Sequence, residues 1–374
     1  MSTRRRLLTW TAGGLVAGSL LPRVHRAHAV PTLDLHLWLE EQEAFLLDHQ
    51  VSSGALQGPY RSSLQPYFSN WAAMGLAAAD TASSREALGN YIEWFLAHLN
   101  TAAEDPYGIA GTVSDWHYDV DTGVETNTGE YSSTDAGTTV PMITAFDAYR
   151  TGDVDLQHLV MENLASYELM AKATCEPQWG VRNTDHLCWA RPDSKMKYVQ
   201  DNAVVYRGLF CLAWLEGEAG RPEQQSYYHN KAEQTRLNLI HHLWHEERQN
   251  WSWGKGVNEL KVSDPATAFM PDAWCQYWVQ HLKLLPASNR RSVASWQAYS
   301  RAWPRWMHNE IDNDFPHTEM AWTACQMGEQ DNAITLLHTC REKYAGNGWA
   351  LPWYNAEAGH SMRTARRLID AGHG

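Results

Sequence analysis

The sequence predicts an all-α protein in which six helical hairpins close into a toroid, an (α/α)6 arrangement. Three observations lead there. Apolar residues recur at spacings of three and four over nearly the whole chain, as in Leu35, Leu39, Ala44 and Leu47, or Tyr91, Phe95 and Leu99. Turn chemistry breaks the pattern at Ser52-Ser53-Gly54, Thr151-Gly152-Asp153, Ala219-Gly220-Arg221-Pro222 and Gly346-Asn347-Gly348. The resulting helices also alternate between two kinds.

The spacing predicts helices near 33–50, 66–81, 84–100, 135–150, 154–173, 201–218, 222–247, 271–284, 289–311, 317–328, 330–344 and 355–371. Those opening near Pro66, Asp135, Asp201, Asp272, His317 and Asn355 are rich in Ala, Gly and other small residues. Each begins with a polar group: Asn70, Asp135, Asp201, Asp272, Glu319 or Glu357. The helices between them, such as 84–100 and 222–247, carry one charged face and read as an outer ring. Inner helices flanked by outer ones give a toroid whose inner-helix starts meet at one mouth. Short extended pieces are expected at 111–125, 187–199 and 251–262.

Residues 1–29 read as a leader and 30–374 as a single domain. Arg4-Arg5-Arg6 precede a short apolar stretch from Leu15 to Leu21, and Ala27-His28-Ala29 fits the small-x-small pattern cut by signal peptidase. The apolar run is too short to span a bilayer, so the pattern matches a twin-arginine export signal. The expected location is periplasmic or secreted.

The formal net charge is −13, and loss of the arginine-rich leader makes the remainder more acidic still. Such a surface argues against nucleic acid and against insertion at anionic membranes. Among the aromatics, 19 Trp and 16 Tyr stand against 7 Phe. Trp and Tyr combine a flat apolar face with a hydrogen-bonding tip, which suits a cleft that stacks sugar rings. Of six cysteines, Cys211, Cys275 and Cys325 lie in apolar helical runs, while Cys175 and Cys188 flank a loop and could bridge. There is no Cys-x-x-Cys pair, and His241, His242 and His245 do not follow the His-Glu-x-x-His order. Neither a metal nor a cofactor is expected.

The most informative stretch runs from Trp116 to Arg150. A polar segment dense in Tyr, Asp, Glu and Thr turns at Ser133-Thr134-Asp135 into an apolar helix. The arrangement recurs at Tyr198-Val199-Gln200-Asp201-Asn202. Either aspartate alone reads equally well as a helix N-cap. With Gly111-Thr112-Val113, the run from Glu125 to Tyr131 and Cys188-Trp189-Ala190-Arg191-Pro192-Asp193, these segments resemble the six-hairpin glycosidase superfamily. Relatives commonly carry an acid where Ser132 stands, whereas Asp135 keeps the second acid of that run. The resemblance implies an (α/α)6 toroid and an exported glycoside hydrolase acting on an oligo- or polysaccharide.

Glycoside hydrolysis needs two carboxyl groups, one protonated and one ionised. Asp135 and Asp201, at successive inner-helix starts, are the first candidates, and a helix N-terminus favours their ionised form. The acid is then sought among Glu130, Asp115 and Glu357. Substrate-binding candidates are Trp116, His117, Tyr131, Trp189, Lys197, Tyr198, Trp253 and Trp353, with Trp349 a further stacking candidate. Lys195, Lys197, Arg191 and Arg182 could hold an anionic sugar, but pairing with Asp185, Asp193 and Asp201 is the simpler expectation. Two other classes fit the same toroid. One is a polysaccharide lyase or epimerase working through Tyr131, Tyr198 and His117. The other is a non-catalytic carbohydrate-binding or envelope protein.

Overall fold

The computed structural model describes residues 32–373. The proposed leader, with Arg4, Arg5, Arg6 and the Ala27-His28-Ala29 site, lies outside the described residues. The described residues cluster as one compact unit.

Six helices form an inner ring: α2 (Pro66–Ala79), α4 (Asp135–Tyr149), α7 (Val199–Glu218), α9 (Trp274–His281), α11 (Glu319–Met327) and α13 (Asn355–Asp370). Each packs against the next in that order, and α13 returns to α2. Small residues permit the closest approaches. A Cβ at Gly359 of α13 would collide with the Trp71 carbonyl of α2, and one at Gly208 of α7 with Thr139 of α4. Backbones this near are open only to glycine.

The outer layer comprises α1 (Leu35–Asp48), α3 (Ala82–Ala97), α5 (Val154–Glu162), α6 (Leu164–Cys175), α8 (Pro222–Leu243), α10 (Arg290–Ala302) and α12 (Gln330–Tyr344). Each inner helix has an outer companion, and the first outer helix, α1, packs on the last inner one, α13. The indole N–H of Trp38 donates to Ser361 Oγ across that seam at 3.1 Å.

The sequence-predicted helices are all present, with three differences, the first being that the run 222–247 ends at Leu243 and leaves Trp244 and His245 extended. The run 154–173 breaks at Asn163 into α5 and α6. The run 289–311 stops at Ala302, because the backbone before Pro304 leaves the helical region at Trp303 (φ −125°, ψ 68°).

The expected extended pieces form small antiparallel ribbons. In the first, β1 (Ser63–Leu64), β2 (Trp116–Tyr118) and β3 (Glu125–Asn127) pair in that order. In the second, β4 (Lys197–Tyr198) lies beside β7 (Gly254–Lys255), which pairs with β8 (Leu260–Lys261). A third ribbon joins β5 (Trp244–His245) to β6 (Asn250–Trp251). All six cysteines are buried free thiols, so Cys175 and Cys188 are unbridged. No described helix is long and apolar enough to cross a membrane.

Candidate active site at the N-terminal mouth of the ring

Helix starts separate the two layers. Four outer helices are capped by side chains: Asp34 on α1, Thr81 on α3, Asp153 on α5 and Asn289 on α10. None of the six inner helices has a side-chain cap bond. In four of them an acid sits inside the first turn: Asp135, Asp201, Glu319 and Glu357. Asp135 and Asp201 are therefore not N-caps.

Asp135 is fully buried; its Oδ1 accepts the Ala136 N–H at 2.8 Å and its Oδ2 has no partner. Burial pushes its carboxyl well above the usual range, and the charge of Asp201 adds to the rise. Asp201 keeps partial solvent exposure and makes no hydrogen bond among the described residues. Burial of its surroundings raises it to about 7. The helix N-terminus argument, which expects both to be ionised, is overturned: desolvation here exceeds the dipole effect of roughly 0.3–1 kcal/mol.

Glu319 behaves oppositely. Its Oε1 accepts from His317 Nδ1 at 2.9 Å, Tyr277 Oη at 2.9 Å and Trp274 Nε1 at 3.2 Å. Burial alone would raise this carboxyl, but the His317 imidazolium and its hydrogen bond outweigh burial and hold it far below the usual range. The same pairing lifts His317 above its ordinary value against the burial that opposes it. Glu319 Oε2 has no partner among the described residues and is not sealed from solvent. Sequence reasoning placed Glu319 on the ring but not among the catalytic candidates.

Tyr67, in the first turn of α2, ties these groups together. Burial raises its phenol far above the usual range, and the charges of Asp201, Glu319 and Asp135 all act on it. Tyr198, capping α7, stacks on Trp253 with ring centroids 5.9 Å apart and planes 22° from parallel. Burial raises its phenol too, and the charges of Asp201 and Asp135 add to that. Two of the expected substrate-binding residues thus stack on each other, and Tyr198 feels the charge of Asp201.

The remaining candidates fall elsewhere. Glu357 is raised to about 7 by burial and by Glu319, yet both its oxygens are engaged. They accept the backbone N–H groups of His317 (3.1 Å) and Thr318 (2.7 Å), and Oε2 also accepts Thr318 Oγ1 at 2.9 Å. Glu357 ties α13 to the start of α11. Asp115 is raised to about 6 by burial and by Glu130, so these two form a separate pair where β2 begins and β3 ends. Glu130 itself is exposed. Trp116 leans edge-on against Trp94 and His98 of the outer layer, and His117 is exposed.

Tyr131 is buried, its oxygen accepting from Thr134 Oγ1 at 3.3 Å. Trp353 is sealed in the core, donating to Gln42 at 3.0 Å and packed on Trp38 and Trp349, so it offers no face to a ligand. Trp189 lies under Lys195 and Lys197. Lys197 is buried against Asp185 at 2.6 Å, joined there by Lys255 at 3.2 Å. Arg191 pairs with Asp193 at 3.0 Å, and Arg182 is buried on the Thr174 carbonyl at 2.9 Å. Three of the four cations considered for an anionic sugar are thus engaged by the protein itself. Among the described residues no cluster of His, Cys, Asp and Glu has the form of a metal site.

The fold has known counterparts. The chain is similar to a wild-type glycosidase at 14% identity and a TM-score of 0.55, covering 91% of this chain and all of that one. It is similar to the family 76 α-mannanase from Bacteroides thetaiotaomicron at 12% identity and a TM-score of 0.55, over 90% and 98% of the two chains. A rhamnosidase from Klebsiella oxytoca with rhamnose bound matches at 13% identity and a TM-score of 0.56, over 92% and 66%. No family model matches the sequence, and no curated protein does. These likenesses fix the fold. The chain is an (α/α)6 toroid.

Proposed function

We propose that the protein is a glycoside hydrolase acting on an oligo- or polysaccharide at the N-terminal mouth of the ring, with Asp201 as acid and Glu319 as the ionised carboxylate. One observation carries this reading: two carboxyls at inner-helix starts, both acting by charge on the Tyr67 phenol, are pushed in opposite directions, Asp201 up to about 7 and Glu319 far down. Divergent titration of two carboxyls at one mouth is what hydrolysis of an acetal requires. Asp201 delivers its proton to the leaving oxygen as the bond to the anomeric carbon breaks. Glu319, with one oxygen held by three donors and the other free, faces the positive charge that develops on the sugar ring. Water adds to that cation and passes its proton to the Asp201 carboxylate, the stronger base of the two, which restores the acid while Glu319 stays ionised. Asp135 is too buried to touch substrate and acts behind Asp201 as a positioning residue. The Tyr198–Trp253 stack supplies an apolar face for a sugar.

The named activities of proteins sharing the fold, mannanase, rhamnosidase and amylase, support a carbohydrate substrate. A lyase or epimerase is less well supported, because such chemistry needs a readily ionised tyrosine or a neutral histidine at the mouth. Tyr67, Tyr131 and Tyr198 are all raised, which disfavours the ionised phenol, and His117 lies exposed on β2.

The test uses α-mannans, rhamnosides and α-glucans, then aryl glycosides on whichever sugar is cleaved. D201N and E319Q should each lower kcat by about 10²–10⁴-fold. A nitrophenyl leaving group needs no proton, so it should restore much of the D201N rate and little of the E319Q rate. Equal loss on both leaving groups for D201N would remove it as the acid. Turnover by a wild-type protein that forms unsaturated product would instead establish a lyase.

Export belongs to the same proposal, supported by Arg4-Arg5-Arg6 and Ala27-His28-Ala29. Changing the three arginines to lysine should trap precursor inside the cell. Normal export of that variant would exclude the twin-arginine route.

A further inference from the structure

The opposite end of the ring holds a second concavity, of about 660 Å³, lined by all six inner helices. Its chemistry inverts that of the first. Six cations line it, Arg150, Arg207, Lys283, Arg363, Arg366 and Arg367, against three acids, Asp80, Asp147 and Asp370. In a chain with an excess of acids, such an accumulation needs a physical cause.

Capping of helix C-termini accounts for one of the six. Arg366 donates to the carbonyls of Ala78 and Ala79 at 2.9 and 3.0 Å, closing the end of α2. Arg363 lies 3.6 Å from Asp147, but its Nη1 is buried without a partner. Arg150, Arg207, Lys283 and Arg367 have no carboxylate within ion-pair distance and make no side-chain hydrogen bond among the described residues. They rest instead on aromatic faces. Arg207 lies 5.4 Å from the Phe146 centroid, and Arg363, Arg367 and Lys283 gather over Trp322 at 4.5, 5.5 and 5.7 Å.

Lys283 is held at the rim by a left-handed backbone (φ 55°), a conformation a lysine takes only at some cost. The crowding is felt electrostatically. Burial, then Arg207, Arg363 and Arg367, lower the Lys283 ammonium to about 8.

An aromatic layer separates this concavity from the acidic mouth. Trp71 meets His360 at 4.9 Å and Trp278 at 5.7 Å, while Trp278 stacks on His281 at 4.6 Å. Burial lowers His281 well below its ordinary value and His360 to about 3, so both are neutral. The layer isolates the two ends from each other.

We propose that this concavity binds a small organic polyanion, a phosphate ester or a polycarboxylate, at a site separate from the sugar-cleaving mouth. Guanidinium groups match the geometry of both oxyanions, and unpaired cations in a partly dehydrated cavity gain most from one. The volume is that of a small-molecule site, larger than a single inorganic ion requires. Met74, Ile143 and Phe146 line the wall beside the charges and suit a ligand with a carbon frame.

The experiment is calorimetric titration of the whole protein with pyrophosphate and with citrate at constant ionic strength, with sodium chloride as control. Melting is followed in parallel. A one-to-one isotherm with a saturable rise in Tm is expected for at least one probe. Binding of pyrophosphate alone identifies the phosphate class, and binding of citrate alone the carboxylate class. R207Q and K283Q should each weaken binding by about tenfold, the loss of one charge-assisted hydrogen bond. K283Q changes a rim residue, so it keeps the test available should R207Q fail to fold. D201N should leave the isotherm unchanged, which separates this proposal from that for the mouth. The proposal is overturned if neither probe saturates, if chloride has the same effect, or if R207Q and K283Q bind as the wild type does.

Discussion

The two ends of the ring place opposite charges where helix dipoles favour them, acids at N-termini and cations toward C-termini. They differ in how those charges are satisfied. At the acidic end Glu319 has three donors on one oxygen, and Glu357 is bound through both. At the basic end most cations have only aromatic faces. The dipole does not decide ionisation at either end. Burial overrides it at Asp135 and Asp201, and specific donors reverse burial at Glu319. What a charge is bonded to matters more than which helix end it occupies.

The sharpest test of that difference compares the removal of one charge from each end. E319A leaves the His317 imidazolium, the Tyr277 hydroxyl and the Trp274 N–H without their acceptor. Breaking a buried pair in this way costs about 3–5 kcal/mol. R207Q removes a cation with no carboxylate partner and should cost less than about 1 kcal/mol. Urea unfolding of both variants at pH 7 measures the contrast. Equal losses would mean that the two ends are held together by the same means.

A smaller effect, of opposite sign, is expected at Asp201. Its folded-state pKa, raised from 3.8 to about 7, means that the folded protein keeps a proton the unfolded chain has already lost between those values. Wild-type stability therefore falls as pH rises from about 4 to 7 and levels off above. D201N cannot titrate and lacks this fall. It should be the more stable protein at pH 8, by on the order of 1–2 kcal/mol after allowing for the partial exposure of Asp201, with the gap closing toward pH 4. Chemical unfolding of both proteins across that range gives the difference directly. A D201N variant less stable than wild type at pH 8 would show that Asp201 serves the fold.

Much of the ring was legible because its rules are local. Small residues with a polar first turn mark α4, α7 and α11, and Ala-Gly-rich segments are what close helix packing demands. The breaks at Asn163 and Trp303 were less legible, since apolar spacing continues across both. That Asp135 and Asp201 stand at inner-helix starts could be read from the sequence. Their protonation could not, because desolvation is set by side chains from other helices. Glu319 shows the limit best: its donors come from His317 next to it, and from Tyr277 and Trp274 more than forty residues earlier. Trp353 reads as a loop aromatic, yet α1 and the end of α12 bury it. The basic concavity has no sequence signature, since Arg207, Lys283 and Arg363 come from three separate segments.

The smallest expected effect lies at the basic end and concerns sign more than size. Lys283 is lowered from 10.5 to about 8, so between those values the unfolded chain binds a proton that the folded protein has released. Wild-type stability should therefore rise with pH across that window, as the folded protein sheds a charge disfavoured by burial and repelled by Arg207, Arg363 and Arg367. Asp147 opposes this repulsion without cancelling it, and His281, already neutral, contributes no change. K283Q lacks the titration, so its stability minus that of the wild type should be most positive below pH 8 and shrink toward pH 10.5. Taking the difference removes the other groups that titrate there, provided no polyanion is in the buffer. Pyrophosphate in excess should abolish the advantage of K283Q below pH 8, because an occupied site turns the same ammonium from a repelled charge into a paired one. An advantage that persisted with pyrophosphate bound would place Lys283 outside the anion site while leaving the repulsion intact.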